Sequence, residues 1–252
     1  MPLITFLSDF GTSDSYVGEV KGVLATLAPA AAVIDITHHI PPGDIRSASH
    51  ILGRAWHRFP AGTVHLVVVD PGVGGTRSAI AVESGGHRFV GPDNGVLTPA
   101  LYNAEPTIVE IAVPEGAAPT FHGRDLFAPA AARLALGDSV LSIGATVLGE
   151  LTRLTDPVPW YQGKSVIGEV LYVDRFGNLV TNLTENLAPP YATLEVEDFA
   201  IGPVRRTFGD VPRGELLAYI GSGNTVEIAV RDGSASRRLG MGVGGRIRVR
   251  LG

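Results

Sequence analysis

The 252-residue chain carries 20 Lys and Arg against 25 Asp and Glu, a net charge of −5 that excludes the basic stripe a nucleic-acid partner requires. It has no cysteine, which excludes disulfides and thiolate chemistry, and its 45% hydrophobic and 18% charged residues fit a globular protein with a sizeable core. No apolar run reaches the ~18 residues of a membrane span, and the N-terminus lacks a basic n-region and meets Asp9 at once, so neither a span nor a signal peptide is expected and the cytoplasm is the default compartment.

In chain order, LITFLSDF (3–10) reads as a buried strand ending at Asp9 and Gly11. YVGEVKGVLATLA (16–28) spaces Val17, Val20, Leu24 and Leu27 as a helix, which Pro29 stops. AVIDIT (32–37) is a second strand, and DIRSASHILGRAWHRF (44–59) a helix with Asp44 as N-cap. TVHLVVVD (63–70) is a third strand, and residues 78–97 form a hairpin turning at Gly85-Gly86. TIVEIAV (107–113) is a strand, and DLFAPAAARLALG (125–137) a helix with Gly137 past its end. Strands alternating with helices imply an α/β domain with a mainly parallel sheet.

The helical signal stops near residue 160. Short strands are expected at 166–173, 178–183, 192–197, 216–220, 225–230 and 246–251, with no convincing helix, as in a small barrel or sandwich. A boundary in the Pro-rich stretch 155–165 gives an α/β domain over 1–158 and a β domain over 164–252. GMGVGGR (240–246) leads into a strand and not a helix, so it is not a dinucleotide fingerprint.

Open parallel sheets bind ligands at the carboxyl ends of their strands. Asp9 ends the first strand and Asp70 the third, so both are expected at one crevice, although each alone also reads as a turn aspartate. VVVDPGVGGTR (67–77) sets Arg77 seven residues after Asp70, across a Gly-rich loop. TFHGRDLFAP (120–129) groups His122, Arg124 and Asp125 around Gly123. Asp125 reads as an N-cap and Arg124 as a carboxylate partner, whereas His122 has no evident structural duty. In DITHHIPPGD (35–44), His38, His39 and Asp35 imitate metal ligands. Neighbours on an extended segment face opposite ways, however, and no metal site is expected. In VDRFGNLVTN (173–182), Asp174, Phe176 and Asn178 alternate on one face. An acid, a ring and an amide suit a nucleoside, and equally an ordinary Asp/Gly/Asn turn.

Six ordered blocks, 8–22, 67–77, 89–98, 120–129, 173–182 and 221–230, resemble the S-adenosyl-L-methionine hydroxide adenosyltransferases, relatives of the bacterial fluorinase and chlorinase, over nearly the whole chain. The resemblance implies an α/β domain followed by a small β-barrel. It implies a homotrimer whose sites lie between the N-terminal domain of one subunit and the C-terminal domain of its neighbour. The implied reaction converts S-adenosyl-L-methionine and water to adenosine and L-methionine, with no metal or organic cofactor. By motif, Asp70, Arg77 and His122 surround the attacking water. Asp70 and His122 are expected to orient it and accept its proton, and Arg77 to stabilise developing hydroxide. Asp9 falls on the ribose 2′ and 3′ hydroxyls and Asp174 near the methionine ammonium. Phe176 and Asn178 line the adenine, Phe208 stacks on it, Val230 is a further substrate contact, and Ser222 lies near the amino-acid carboxylate. The halogenases have Tyr in place of Asp70 and the fluorinase has Ser in place of Gly123, so hydrolysis is expected over halide transfer. The fluorinase also has an Arg where this chain has Gly223. The competing readings are a binding module without turnover and a metal-dependent hydrolase using Asp9, Asp70 and His122.

Overall fold

The structure, a computed structural model, describes residues 1–251 except 103, 104, 148, 190, 191 and 198. Two compact units divide between Leu154 and Thr155.

The first unit contains β1 (Leu3–Ser8), α1 (Tyr16–Leu27), β2 (Ala32–Thr37), α2 (Ile45–Ala55), β3 (Val64–Val68), β4 (Ala79–Ser84), β5 (His87–Pro92), β6 (Thr107–Glu110), α3 (Ala128–Ala135) and β7 (Ala145–Thr146). Its sheet runs β2-β1-β3-β5-β4-β6-β7. The β2-β1-β3-β5 half is parallel, and the β4-β6-β7 half joins it antiparallel through the β4–β5 hairpin, so the sheet is mixed. The hairpin turns at Gly85 and Gly86, both at positive φ, as a two-residue turn demands.

Alternation along β1 feeds two cores. Ile4 and Phe6 pack with Val20 and Leu24 of α1 and Ala131 and Leu134 of α3, whereas Leu7 packs with Ala48 and Leu52 of α2. Asp44 caps α2, its side chain accepting from Ser47 N–H at 3.0 Å. The chain leaves β1 for β2 on one side and returns to β3 on the other. The β1/β3 junction is therefore the switch point at which an open sheet leaves a crevice. Ser8 pairs with Val68 in register, so Asp9 and Asp70 leave the sheet side by side.

The expected N-cap role of Asp125 does not occur. The helical segment begins earlier, with a π-turn over Gly123–Phe127 in which Asp125 is an interior residue. Its carboxylate instead accepts from Ala118 N–H at 2.9 Å and pairs with Arg124.

The second unit contains β8 (Trp160–Gln162), β9 (Ser165–Val173), β10 (Leu179–Thr184), β11 (Thr193–Val196), β12 (Phe199–Gly202), β13 (Val204–Arg205), β14 (Leu216–Ile220), β15 (Thr225–Val230), α4 (Ala235–Leu239) and β16 (Arg246–Arg250). The order is β12-β11-β16-β9-β10-β15-β14-β13, with β8 on β9. The two ends of this path, β12 and β13, are separated by Pro203 alone, so the sheet curls into a nearly closed barrel. Val166, Leu179, Leu194, Ile228 and Ile247 fill it. The sequence reading had no helix here. α4 is five residues long, too short to show a period; Ser234 caps it and Gly240, at φ +62°, ends it.

Candidate active site

Three segments converge beyond the carboxyl ends of β1 and β3. The Asp70–Arg77 loop folds back through Gly74, at φ +73°, where a Cβ would lie 2.4 Å from the Pro119 carbonyl oxygen. Only glycine lets this loop reach the segment that carries His122. Gly123 plays the same part for that segment, since a Cβ there would sit 3.1 Å from the Phe10 ring and 3.3 Å from Val68. Arg124 ties the turn to α1, pairing with Glu19 at 2.8 Å and with Asp125 at 2.6 Å and lying over Phe121.

Asp70, Arg77 and His122 meet here. Arg77 Nε donates to both Asp70 oxygens at 3.0 Å, and its Nη2 also bonds Oδ2. Nη2 donates as well to His122 Nδ1 at 2.8 Å. The Asp70 side chain is 5% exposed and that of Arg77 10%, so the pair is withdrawn from bulk water. A guanidinium has no acceptor, so Nδ1 must be the acceptor and the proton of the neutral ring sits on Nε2. Burial, and then the charge of Arg77, hold the His122 pKa below the ordinary histidine value. His122 is therefore a neutral ring that presents an N–H donor. Of the two tasks the sequence assigns jointly to Asp70 and His122, orienting the water and accepting its proton, this ring suits the first.

The same contacts answer the metal reading. Arg77 bonds both Asp70 oxygens and His122 Nδ1, so a metal ion drawing on those atoms would have to displace its guanidinium. His38 is buried and His39 exposed, on opposite sides of their segment.

Asp9 lies beside this cluster. Its Oδ2 accepts from Gly43 N–H at 2.8 Å, and a Cβ on Gly43 would lie 3.6 Å from Pro71, next to Asp70. Asn94 was not singled out from the sequence, although its block was. It donates from Nδ2 to the Val69 carbonyl at 2.9 Å and accepts from Val96 N–H at 3.1 Å, pinning the backbone just before Asp70.

In the barrel unit, Phe176, Asn178, Phe208 and Val230 line one cavity of about 380 Å³, with Asp232 and Gly233. The last two lie in the turn after β15, and nothing in their spacing marks them. Phe176 is 73% exposed and Phe208 39%, both large for aromatic rings. Asp174 holds the loop beneath them, accepting from Phe176 N–H at 2.9 Å and from the backbone and side-chain amides of Asn178, each at 2.8 Å. The Asp/Gly/Asn turn is therefore present, and of the three residues expected on one face Phe176 and Asn178 line the cavity while Asp174 turns its carboxylate onto its own loop. Ser222 is exposed, in the turn before β15, while Val230 ends that strand. The strand separates them by roughly 20 Å, and Ser222 does not line the cavity.

Comparison with known proteins follows this division. The SAM hydroxide adenosyltransferase N-terminal domain matches residues 4–144 and the C-terminal domain of the same name matches 168–248. A protein of Thermus thermophilus named (R)-S-adenosyl-L-methionine hydrolase is 46% identical over 98% of both chains. One of the same name from Salinispora tropica is 42% identical over 100% of this chain and 98% of that one. The crystal structure of an uncharacterized conserved protein from Thermotoga maritima superposes with a TM-score of 0.89 at 40% identity, covering 98% of this chain and 99% of the other.

Proposed function

The chain belongs to the SAM hydroxide adenosyltransferase family, and from that premise we propose that it hydrolyses S-adenosyl-L-methionine to adenosine and L-methionine by attack of water at ribose C5′. The substrate is the (R) epimer at sulfur, the configuration in the names of its relatives. The observation that carries this reading is the preassembled Asp70–Arg77–His122 cluster at the switch point of the sheet.

The sulfonium departs as a neutral thioether, so no acid is needed at sulfur. The demand falls on the water, which must lie in line with the C5′–S bond. His122 Nε2–H donates to the water oxygen and fixes its position. The Asp70 carboxylate takes the proton: Arg77 uses three of its roughly four acceptor positions, leaving one on Oδ1. Arg77 holds both partners and offsets the negative charge of the oxygen as the new bond forms. Water adds oxygen to C5′, the C5′–S pair leaves with methionine, and one proton is released.

Asp9 receives the ribose diol. The barrel cavity takes adenine between Phe176 and Phe208, with Asn178 and Val230 beside it. Asp174 faces the methionine ammonium and Ser222 its carboxylate. A homotrimer with sites between subunits rests on the family resemblance, and a cytoplasmic location belongs to the same proposal. Among the described residues, no helix is long and apolar enough to cross a membrane.

The test is incubation with each sulfur epimer in oxygen-18 water. The expected products are methionine and adenosine labelled at the 5′-oxygen, from the (R) epimer. Excess chloride or fluoride is expected to give no 5′-halo product, since the Asp70 carboxylate repels a halide. Unlabelled adenosine, or a halogenated product at a comparable rate, overturns the mechanism.

A further inference from the structure

The segment DITHHIPPGD has no part in the chemistry above, yet it touches the Asp9 turn at three places. His38 is only 4% exposed. Its Nδ1 lies 2.7 Å from Oγ of Ser8, the fully buried last residue of β1. Its Nε2 lies 3.2 Å from Asp35 Oδ1, and Lys21 of α1 holds the other Asp35 oxygen at 2.6 Å. The His38 carbonyl accepts from Gly11 N–H at 2.7 Å. From the same segment, Gly43 N–H donates to Asp9 Oδ2 at 2.8 Å.

The donors and acceptors fall into one direction. The Asp35 carboxylate can only accept, which favours the ring proton on Nε2 and leaves Nδ1 to accept from the Ser8 hydroxyl; Ser8 Oγ in turn accepts from Phe10 N–H at 3.4 Å. His38 thus grips the turn before Asp9 with its ring and the turn after it with its carbonyl, while the Phe6 ring, edge-on at 4.6 Å, fixes the imidazole plane. Ser8 is sealed from solvent, so this Ser–His–Asp arrangement is no nucleophile.

We propose that the buried Ser8 and His38, with the partly exposed Asp35 facing the ring, form a relay that aims the Asp9 carboxylate at a vicinal diol, making His38 a positioning residue for the ribose. This deepens the proposed function and rests on its reading of Asp9. A carboxylate serves two adjacent hydroxyls only if its plane is fixed, and a hydrogen-bonded support behind it supplies that constraint.

The test compares binding of adenosine and 2′,3′-dideoxyadenosine by calorimetry, with kcat and KM for the sulfonium substrate. The wild-type protein prefers adenosine, and Asp9→Ala abolishes the preference. His38→Ala is expected to weaken adenosine about two- to tenfold, the worth of one net hydrogen bond. Dideoxyadenosine binding and kcat stay unchanged while KM rises. His38→Asn, whose amide oxygen can accept from Ser8, restores much of the preference. Should His38→Ala not fold, Asp35→Ala alters a half-exposed side chain and is expected to shift the ratio in the same direction. Equal weakening of both nucleosides by His38→Ala, or an unchanged ratio in His38→Ala or in Asp35→Ala, overturns the relay. A preference that survives Asp9→Ala overturns the reading of Asp9 itself, whatever His38 does.

Discussion

The two units offer a ligand opposite things. The N-terminal unit presents polar groups that are already paired: the Asp70–Arg77 ion pair and the neutral His122 ring hold one another, almost out of solvent, before any substrate arrives. The barrel unit presents an open cavity with under-packed rings, Phe176 and Phe208. A pre-paired cluster reorganises little when charge develops, so its worth appears in the transition state. Exposed rings gain by being covered, a gain that substrate and transition state share. The division predicts that substitutions in the first unit act on kcat and those in the second on KM.

The largest effect expected is at Arg77. Arg77→Ala leaves the Asp70 carboxylate buried without its cation and frees His122 to rotate and to change tautomer. A kcat loss of about 10²–10⁴-fold is expected, the range for a positioned proton-transfer group. Adenosine affinity is expected to change little. Arg77→Lys is expected to rescue poorly, because an ammonium cannot reproduce a fork that spans two carboxylate oxygens and a ring nitrogen. Single-turnover kinetics beside calorimetry separate the two quantities. A loss confined to KM would break the division at its strongest point.

The same contrast marks what the sequence made legible. Local relations came through: the β4–β5 turn at Gly85-Gly86, the Asp44 cap, and the opposite facing of His38 and His39 all follow from neighbouring residues. The bond from Arg77 to His122 spans 45 residues of chain, and no spacing announces it. Without that bond the tautomer of His122 is unreadable, and the ring looks like a base. Asp125 imitated an N-cap because the sequence does not show that the segment enters through a π-turn two residues earlier. Gly74 was visible as part of a Gly-rich loop, but its reason, the Pro119 carbonyl with which any Cβ there would collide, belongs to another segment. β8, β12 and β13, of two to four residues each, are too short for an alternation to register.

A second difference between the units is smaller in size and acts on stability. All seven histidines lie in the N-terminal unit. Burial lowers the pKa of His65 to about 3, and also lowers those of His87, His38 and His122. His65 is fully buried between Thr5 and His87, at 2.7 and 3.1 Å. A folded value below the unfolded one means that the unfolded chain binds more protons between the two. Stability is therefore intact at pH 7 and is lost as pH falls below ~6.5, for His65 down to about 3. At pH 5, His65 alone costs about 2 kcal/mol, while most carboxylates are still ionised. Amide hydrogen exchange at pH 7 and pH 5, corrected for intrinsic rates, is expected to show β1, β3 and β5 losing protection while β9, β10 and β15 keep theirs. Equal loss in both units would remove the histidines as the cause.

The smallest effect belongs to Phe176, and it is the cleanest test of the barrel's half of the comparison. Its ring is 73% exposed, so Phe176→Ala removes little that the fold uses. The Asx-type turn beneath it is built from the Asp174 carboxylate and backbone amides, which the substitution leaves in place. Phe208 is less suitable, because its ring also packs against Tyr219 at 4.9 Å and its loss disturbs β14. Stacking on an aromatic ring is worth about 1–3 kcal/mol per base, so KM and the adenosine dissociation constant are each expected to rise about tenfold. The value of kcat should hold, since the base is bound alike in the ground and transition states. Phe176→Trp should match or exceed wild-type affinity, and Phe176→Leu should fall between Phe and Ala, because a leucine covers apolar area without presenting a π face. If Leu binds as well as Phe, the cavity recognises area alone and adenine is not stacked there. If Phe176→Ala lowers kcat and leaves KM fixed, the barrel takes part in the chemical step and the division between the units fails.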